Sequence, residues 1–256
     1  MGTRTSYPPG TFSWAELATS DAAGAKGFYT ALFRWDYDDN PIGEGQVYSL
    51  ALRDGERVAA LFASDEPPHW NCYVTVASAD ESTARATDLG GTVLADPFDV
   101  MDLGRMSVIA DPTGAALSLW EPLGNIGAAL VNTPGSMTWN DLVTPDPDAA
   151  ARFYEALFGW TTEAVEGGGG YRVIRNGERS NGGIMPLDPE RMGADTPASW
   201  MPYFGHEDVE AAVAEVPGLG GRAFMGPMQL PGGTIAVLGD PQGAVFAVFT
   251  GEYDED

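Results

Sequence analysis

Disulfide bonds are excluded within this chain, because Cys72 is the only cysteine among its 256 residues. Long apolar runs are missing too: nothing reaches the roughly 20 residues that a membrane-spanning helix needs. The first residues show no basic segment followed by an apolar stretch, so we expect no signal peptide. A reducing compartment suits such a chain, and we predict a cytoplasmic protein without a membrane partner.

Positive charge is scarce. Lysine and arginine together number 13, against 37 aspartates and glutamates, which gives a formal net charge of −24. This balance repels phosphate backbones and anionic membranes, so we expect no nucleic-acid partner. A charged surface that keeps the protein dissolved is the simplest interpretation, and a preference for neutral or cationic ligands is the alternative.

What the chain does contain is a duplication. Four landmarks of the first half recur in the second at one constant offset: Trp14, Asp21, Phe28 and Trp35 correspond to Trp139, Asp146, Phe153 and Trp160. Matches in register across a strand, a helix cap and a helix indicate a repeated folding unit. We therefore predict two domains, at 1–123 and 136–256, joined by a Gly/Ala-rich linker at 124–135.

Periodicity predicts the same order of elements in each half. Residues 12–19 alternate as a strand, Asp21 fits an N-cap, and 22–33 carry the apolar stripe of a helix. Strands are predicted at 35–37, 47–52 and 58–63, and the pattern restarts with a strand at 70–76, a helix at 80–88, and strands at 92–95, 105–110 and 115–120. The chain thus contains four β-α-β-β-β modules. In the second half, 188–198 is a polar loop, and 253–256 is an acidic tail.

These residues resemble the vicinal oxygen chelate superfamily, which contains glyoxalases, bleomycin-resistance proteins and ring-cleaving dioxygenases. The resemblance rests on FYxxLFxW after the capping aspartate, LGG at the second helix end and DPxG before the last strand, and it covers both halves. It is closest to a tandem-domain actinobacterial subgroup labelled glyoxalase-like or hydroxylase. It implies an α+β fold of two tandem domains, each with two β-α-β-β-β modules curled around a cleft.

The resemblance also locates the family's metal-ligand positions. In this chain they are occupied by Trp14, Asn71, Ser118, Trp139, Met201 and Ala247. Divalent metals in such sites need several imidazole or carboxylate donors, which these side chains do not supply. We therefore predict no metal and no cofactor, with a metal-dependent lyase or dioxygenase as the least favoured alternative. His69 and His206 are interpreted as surface or packing histidines.

Alternation along the strands predicts which side chains face each cleft. They are Trp14, Glu16, Asn71, Tyr73, Ser118 and Trp120 in the first half, and Trp139, Asp141, Met201, Tyr203, Ala247 and Phe249 in the second. Aromatic walls with a few polar groups are typical of sites for flat organic ligands. The alternative is that the rings simply fill each barrel. Asn71 and Ser118 favour a pocket in the first half, because burying them unpaired is costly.

Glu16 and Asp141 lie two residues after the repeated tryptophans. A carboxylate enclosed by indole and phenol rings has a raised pKa and could act as a catalytic acid or base. It could equally bind a ligand hydroxyl or amine, lie at the rim, or pair with an arginine such as Arg105.

Our first hypothesis is metal-free binding of an aromatic or polycyclic small molecule, for sequestration or resistance. The alternative is a metal-independent tailoring enzyme of cyclase, isomerase, hydratase or hydroxylase type. We expect a monomer whose two halves pair, with a homodimer as the alternative.

Overall fold

A computed structural model of the protein describes residues 2–43, 45–193 and 195–253. Residues 254–256 of the expected acidic tail lie outside these ranges. The strands of the first half are β1 Phe12–Thr19, β2 Asp36–Gly43, β3 Gln46–Arg53, β4 Glu56–Ala63, β5 His69–Thr75, β6 Thr92–Val100, β7 Gly104–Ala110 and β8 Ala116–Pro122. Those of the second half are β9 Met137–Thr144, β10 Thr161–Ala164, β11 Arg172–Asn176, β12 Arg179–Pro186, β13 Ser199–Gly205, β14 Arg222–Leu230, β15 Gly233–Gly239 and β16 Val245–Gly251.

The helices are α1 Ala22–Phe33, α2 Ala79–Asp88, α3 Pro147–Phe158, α4 Pro189–Met192 and α5 Val209–Glu215, the last followed by a 3₁₀ helix at Val216–Leu219. The Asp21 carboxylate accepts a hydrogen bond from the Gly24 amide at 2.9 Å, and Asp146 does the same for Ala149. These side chains satisfy amides that the first helical turn leaves unpaired, so they fix where α1 and α3 begin. In the described part of the chain, no helix is long and apolar enough to cross a membrane.

Each half folds into one mixed eight-stranded sheet. The strand order is β2-β3-β4-β1-β5-β8-β7-β6 in the first sheet and β10-β11-β12-β9-β13-β16-β15-β14 in the second. Each module contributes four neighbouring strands, and the two modules of a half meet at one antiparallel pair, β1 with β5 or β9 with β13. The predicted α+β fold of two tandem domains is confirmed. The exact division at 123 and 135 stays a prediction.

The local predictions differ from the structure where strands are exposed. β2 and β6 extend well beyond the predicted 35–37 and 92–95, and all or nearly all of their residues are exposed or only half-buried. Such strands are held by hydrogen bonds to a neighbour, so alternation in their own sequence does not reveal them. The loop predicted at 188–198 contains the short helix α4, capped by the Asp188 carboxylate.

The repeated motif residues join the two halves. Trp35 donates its indole hydrogen to the carbonyl of Gly135 at 2.7 Å, and its counterpart Trp160 donates to Gly10 at 2.8 Å. Trp70 of β5 packs against Phe204 of β13, with ring centroids 5.0 Å apart. One apolar core is therefore continuous across the two halves. On the first sheet it also includes Trp14, Tyr73 and Trp120.

Candidate functional site

The pairing of three central strands brings the predicted side chains of the first half onto one sheet face. Trp14 is paired with Tyr73, Glu16 with Asn71, and Tyr73 with Ser118. Paired residues on neighbouring strands project to the same side, and Trp120 follows Ser118 by one full pleat. We call this surface the first inner face: Trp14, Glu16, Asn71, Tyr73, Ser118 and Trp120. Cys72 lies on the opposite face and is buried, as expected.

The second half repeats the arrangement with different chemistry. Trp139 is paired with Tyr203, Asp141 with Met201, and Tyr203 with Ala247. These residues and Phe249 form the second inner face: Trp139, Asp141, Met201, Tyr203, Ala247 and Phe249. Met201, Tyr203 and Ala247 of this face form an apolar cluster with Ile235 of β15, and this cluster is separate from the main core. The structure thus places all predicted site residues together, and their role in binding or catalysis stays a prediction.

Glu16 is the polar centre of the first inner face. Its carboxylate accepts hydrogen bonds from Tyr73 at 2.5 Å and from Tyr48 at 2.8 Å, and the Trp14 indole donates to Tyr48 at 3.1 Å. Only 9 % of Glu16 is exposed. Burial raises the pKa of Glu16, and the phenol hydrogen bonds, the nearby His69 and the Asn71 amide oppose that rise.

Asp141 occupies the same place in the second inner face and has one more donor. Tyr203 donates to Oδ2 at 2.6 Å, while Tyr171 and the Trp139 indole both donate to Oδ1 at 2.8 Å. Burial raises the pKa of Asp141, and these three hydrogen bonds oppose the rise. Each carboxylate is therefore held by two phenols and has an indole close by, although the shorter aspartate sits closer to its own strand.

Sequence reasoning missed the second phenol of each cluster. Tyr48 lies on β3, and Tyr171 immediately precedes β11. Both belong to the hairpin between the helix and the last strand of the module, where the sequence predicts strands but offers no imidazole or carboxylate. Alternation along β3 could have identified Tyr48, because Tyr48 and Leu50 point to the same side of the sheet. Tyr48 is paired with Phe62 and Leu50 with Ala60.

Two further sequence interpretations need adjustment. His69 is the first residue of β5, whereas the sequence placed it just before the strand. It is paired with Ala18, which lies on the same side of β1 as Trp14 and Glu16. Arg105 does not contact Glu16: its guanidinium binds Asp80 at 2.6 Å and Asp99 at 2.7 Å. His206 packs against α1, with Nε2 3.2 Å from the Leu32 carbonyl, as a packing histidine should.

The side chains on these faces do not fit the metal that the fold family implies. The structure contains no cluster of three His, Cys, Asp or Glu side chains suited to a metal ion within residues 2–43, 45–193 and 195–253. Glu16 instead accepts hydrogen bonds from two phenols, and Asp141 from two phenols and an indole. The indole, thioether and methyl groups at the other positions supply no hard ligand, and the single amide of Asn71 and hydroxyl of Ser118 do not complete a ligand set. The residues present therefore do not fit a divalent metal ion.

A surface cavity of about 230 Å³ lies between α1 and α5, away from both inner faces. Its lining includes Arg34, Arg53, His206 and Glu207. Arg34 is already paired with Glu207, whose carboxylate lies 3.3 Å from the guanidinium. The cavity lies where the two halves meet, and none of the residues that line it belongs to the carboxylate clusters.

Comparison with known proteins agrees with the fold. The family model of the Glyoxalase-like domain matches residues 14–120 and again 137–249. The chain is 43 % identical to the putative glyoxylase CFP32 of Mycobacterium tuberculosis, over 97 % of both chains. It is 35 % identical to the anthracycline biosynthesis protein DnrV of Streptomyces peucetius, over 95 % of this chain and 94 % of that one.

Solved structures extend the likeness at the level of fold. The Mn(II)-bound glyoxalase from Novosphingobium aromaticivorans superposes with a TM-score of 0.67 at 14 % identity, covering 96 % of this chain and 86 % of that one. The 2,3-dioxygenase LapB from Pseudomonas sp. KL28 gives 0.68 at 13 % identity, covering 96 % and 95 %. The chain has the vicinal oxygen chelate fold and belongs to the Glyoxalase-like domain family, of which it contains two copies.

Proposed function

We propose that this protein binds a flat, hydroxylated aromatic molecule of secondary metabolism on the first inner face, without a metal. The observation that carries the proposal is the mixture of groups there. The rings of Trp14, Tyr73 and Trp120 line this face with at most 7 % of each residue exposed, and Asn71 and Glu16 place an amide and a carboxylate beside them. Asn71 is only half-buried, so its amide stays within reach of a ligand at the open side.

The second inner face is a poorer candidate. Met201 and Ala247 stand where the first inner face has Asn71 and Ser118, and they pack into an apolar cluster. Its polar groups are those of the Asp141 cluster, without the amide and the hydroxyl that the first inner face adds beside its carboxylate. The contrast supports one ligand site per chain.

The relatives support the class of ligand. DnrV and the 34 % identical DauV are named anthracycline biosynthesis proteins. Anthracyclines are fused-ring compounds with hydroxyl groups, which is the chemistry that the first inner face suits. In this proposal the molecule is held rather than transformed, which corresponds to sequestration or resistance.

Tryptophan fluorescence provides the test. Titrating the protein with a panel of hydroxyanthraquinones should quench part of the emission. Trp14→Phe and Trp120→Phe should each weaken both the quenching and the affinity, whereas the matched variant Trp139→Phe in the second inner face should not. Absence of quenching across the panel, or equal losses in all three variants, would count against a site on the first inner face.

A second candidate function is metal-independent catalysis with Glu16 or Asp141 as acid or base. It is favoured by the raised pKa of both carboxyl groups, which burial causes in each case. A carboxyl group that is protonated closer to neutral pH can pass its proton to or from a bound substrate. If Glu16→Gln and Asp141→Asn keep full turnover of a compound that the native protein converts, this candidate is wrong.

A further inference from the structure

The two histidines of the chain are held in opposite tautomers. His206 accepts a hydrogen bond at Nδ1 from the Asp208 amide at 3.1 Å, so its hydrogen is on Nε2, facing the Leu32 carbonyl. His69 has Nδ1 2.7 Å from the carbonyl of Pro67. A carbonyl only accepts, so Nδ1 of His69 carries a hydrogen, and in the neutral imidazole Nε2 then presents a lone pair.

His69 lies on the inner side of the first sheet. Pairing with Ala18 puts His69 on the same side of the sheet as Asn71 and Tyr73. Ala18 is paired on its other side with Phe62, so two rings flank one small residue, roughly 10 Å apart by the spacing of strands. His69 is half-buried, and its hydrogen bond to Pro67 uses Nδ1 and not Nε2.

The position corresponding to His69 in the second half is Ser199, paired with Val143, which supplies neither an imidazole nor a small neighbour. An imidazole at this position therefore occurs in the first half alone.

We propose that His69 is a specificity-determining residue whose Nε2 accepts a hydrogen bond from a hydroxyl group of the aromatic ligand. This inference rests on the proposed function, because it assigns a role to His69 at the same site. The Pro67 carbonyl fixes the tautomer and the ring orientation, as a second hydrogen bond commonly does for functional histidines. A ligand with a free phenolic hydroxyl is then preferred over one whose hydroxyl is methylated.

A comparison of 2-hydroxyanthraquinone with 2-methoxyanthraquinone tests this preference. The native protein should bind the hydroxyl compound about tenfold more tightly, the gain expected for one hydrogen bond near 1.4 kcal/mol. His69→Phe should bind both compounds equally, and Ser199→Phe, the matched control in the second half, should keep the preference. A preference that survives in His69→Phe would overturn the role of His69 while leaving the proposed function intact.

Nitrogen NMR of the native protein gives an independent readout that requires no variant. The Nε2 resonance of His69 should start in the range of an unprotonated imidazole nitrogen and shift when 2-hydroxyanthraquinone is added, while His206 stays unchanged. Binding with no change at His69 would overturn the inference alone. If neither compound binds the native protein, the inference and the proposed function both fail.

Discussion

The two inner faces have the same strand pairing but carry different side chains. Both present a tryptophan, a buried carboxylate and two phenols, in the order Trp14, Glu16, Tyr48 and Tyr73 and the order Trp139, Asp141, Tyr171 and Tyr203. Around that common centre, Asn71 is replaced by Met201 and Ser118 by Ala247. The carboxylate cluster is thus common to both faces, whereas the amide and the hydroxyl beside it occur once.

The strand beside each carboxylate shows how the difference is accommodated. Ala60 is paired with Glu16, and Gly183 with Asp141. A Cβ atom at Gly183 would lie 2.0 Å from the Tyr171 hydroxyl and 2.4 Å from Asp141 Oδ1. The shorter aspartate keeps its hydrogen bonds close to the sheet, where only glycine leaves room, while the longer glutamate reaches past an alanine.

Gly183→Ala should therefore produce the largest effect and break the second inner face selectively. We expect a loss of about 3 kcal/mol in the free energy of unfolding, the upper end for overpacking a buried site. The reciprocal change Ala60→Gly should cost about 1 kcal/mol. Urea denaturation checks both, and equal losses would show that the two strands tolerate a methyl group alike.

Removing one phenol hydroxyl should have the next largest effect. Tyr203→Phe deletes a hydrogen bond to buried Asp141, and Tyr73→Phe deletes the corresponding bond to Glu16. Each should lower the free energy of unfolding by about 2 kcal/mol, because a buried carboxylate loses a donor. Urea denaturation of the two variants measures this. Variants as stable as the native protein would mean that the phenols do not support the carboxylates.

Making the first inner face resemble the second should weaken ligand binding. We expect Asn71→Met to reduce the affinity for 2-hydroxyanthraquinone about tenfold, equivalent to about 1.4 kcal/mol, because the half-buried amide is lost. Fluorescence titration measures the change. Met201→Asn serves as the matched control and should leave the affinity as it is. A loss in the control alone would place the ligand on the second inner face.

The smallest expected effect is a pH dependence of stability. Burial raises the pKa of Glu16 and of Asp141, so the folded chain binds more protons than the unfolded chain above the ordinary carboxyl pKa. The stability that each group contributes is then complete below its unfolded pKa and is lost as pH rises through its folded pKa.

Glu16→Gln and Asp141→Asn remove that loss. Relative to the native protein, each variant should therefore gain stability as the pH is raised from 5 to 8. Urea denaturation across this range measures the difference. A difference that falls with increasing pH would mean that the folded-state pKa values are lowered instead.

The sequence by itself determined the architecture. The repeated Trp, Asp and FYxxLFxW landmarks fix two copies of one unit, since capping and apolar spacing are local properties of the chain. Alternation also put Trp14 with Glu16 on one side of β1, because a strand turns its side chains alternately to either side. That Tyr73 and Ser118 of β5 and β8 share this face came from the resemblance to the superfamily and not from alternation.

Only the tertiary structure decided what those side chains touch. Tyr48 reaches Glu16 across β4, and Trp35 reaches the other half of the chain at Gly135, over separations that no local pattern encodes. The same holds for His69, whose tautomer is set by the Pro67 carbonyl and whose side of the sheet is set by its pairing with Ala18. Register between distant strands depends on the packing of the whole core, and register decides which rings and carboxylates lie side by side.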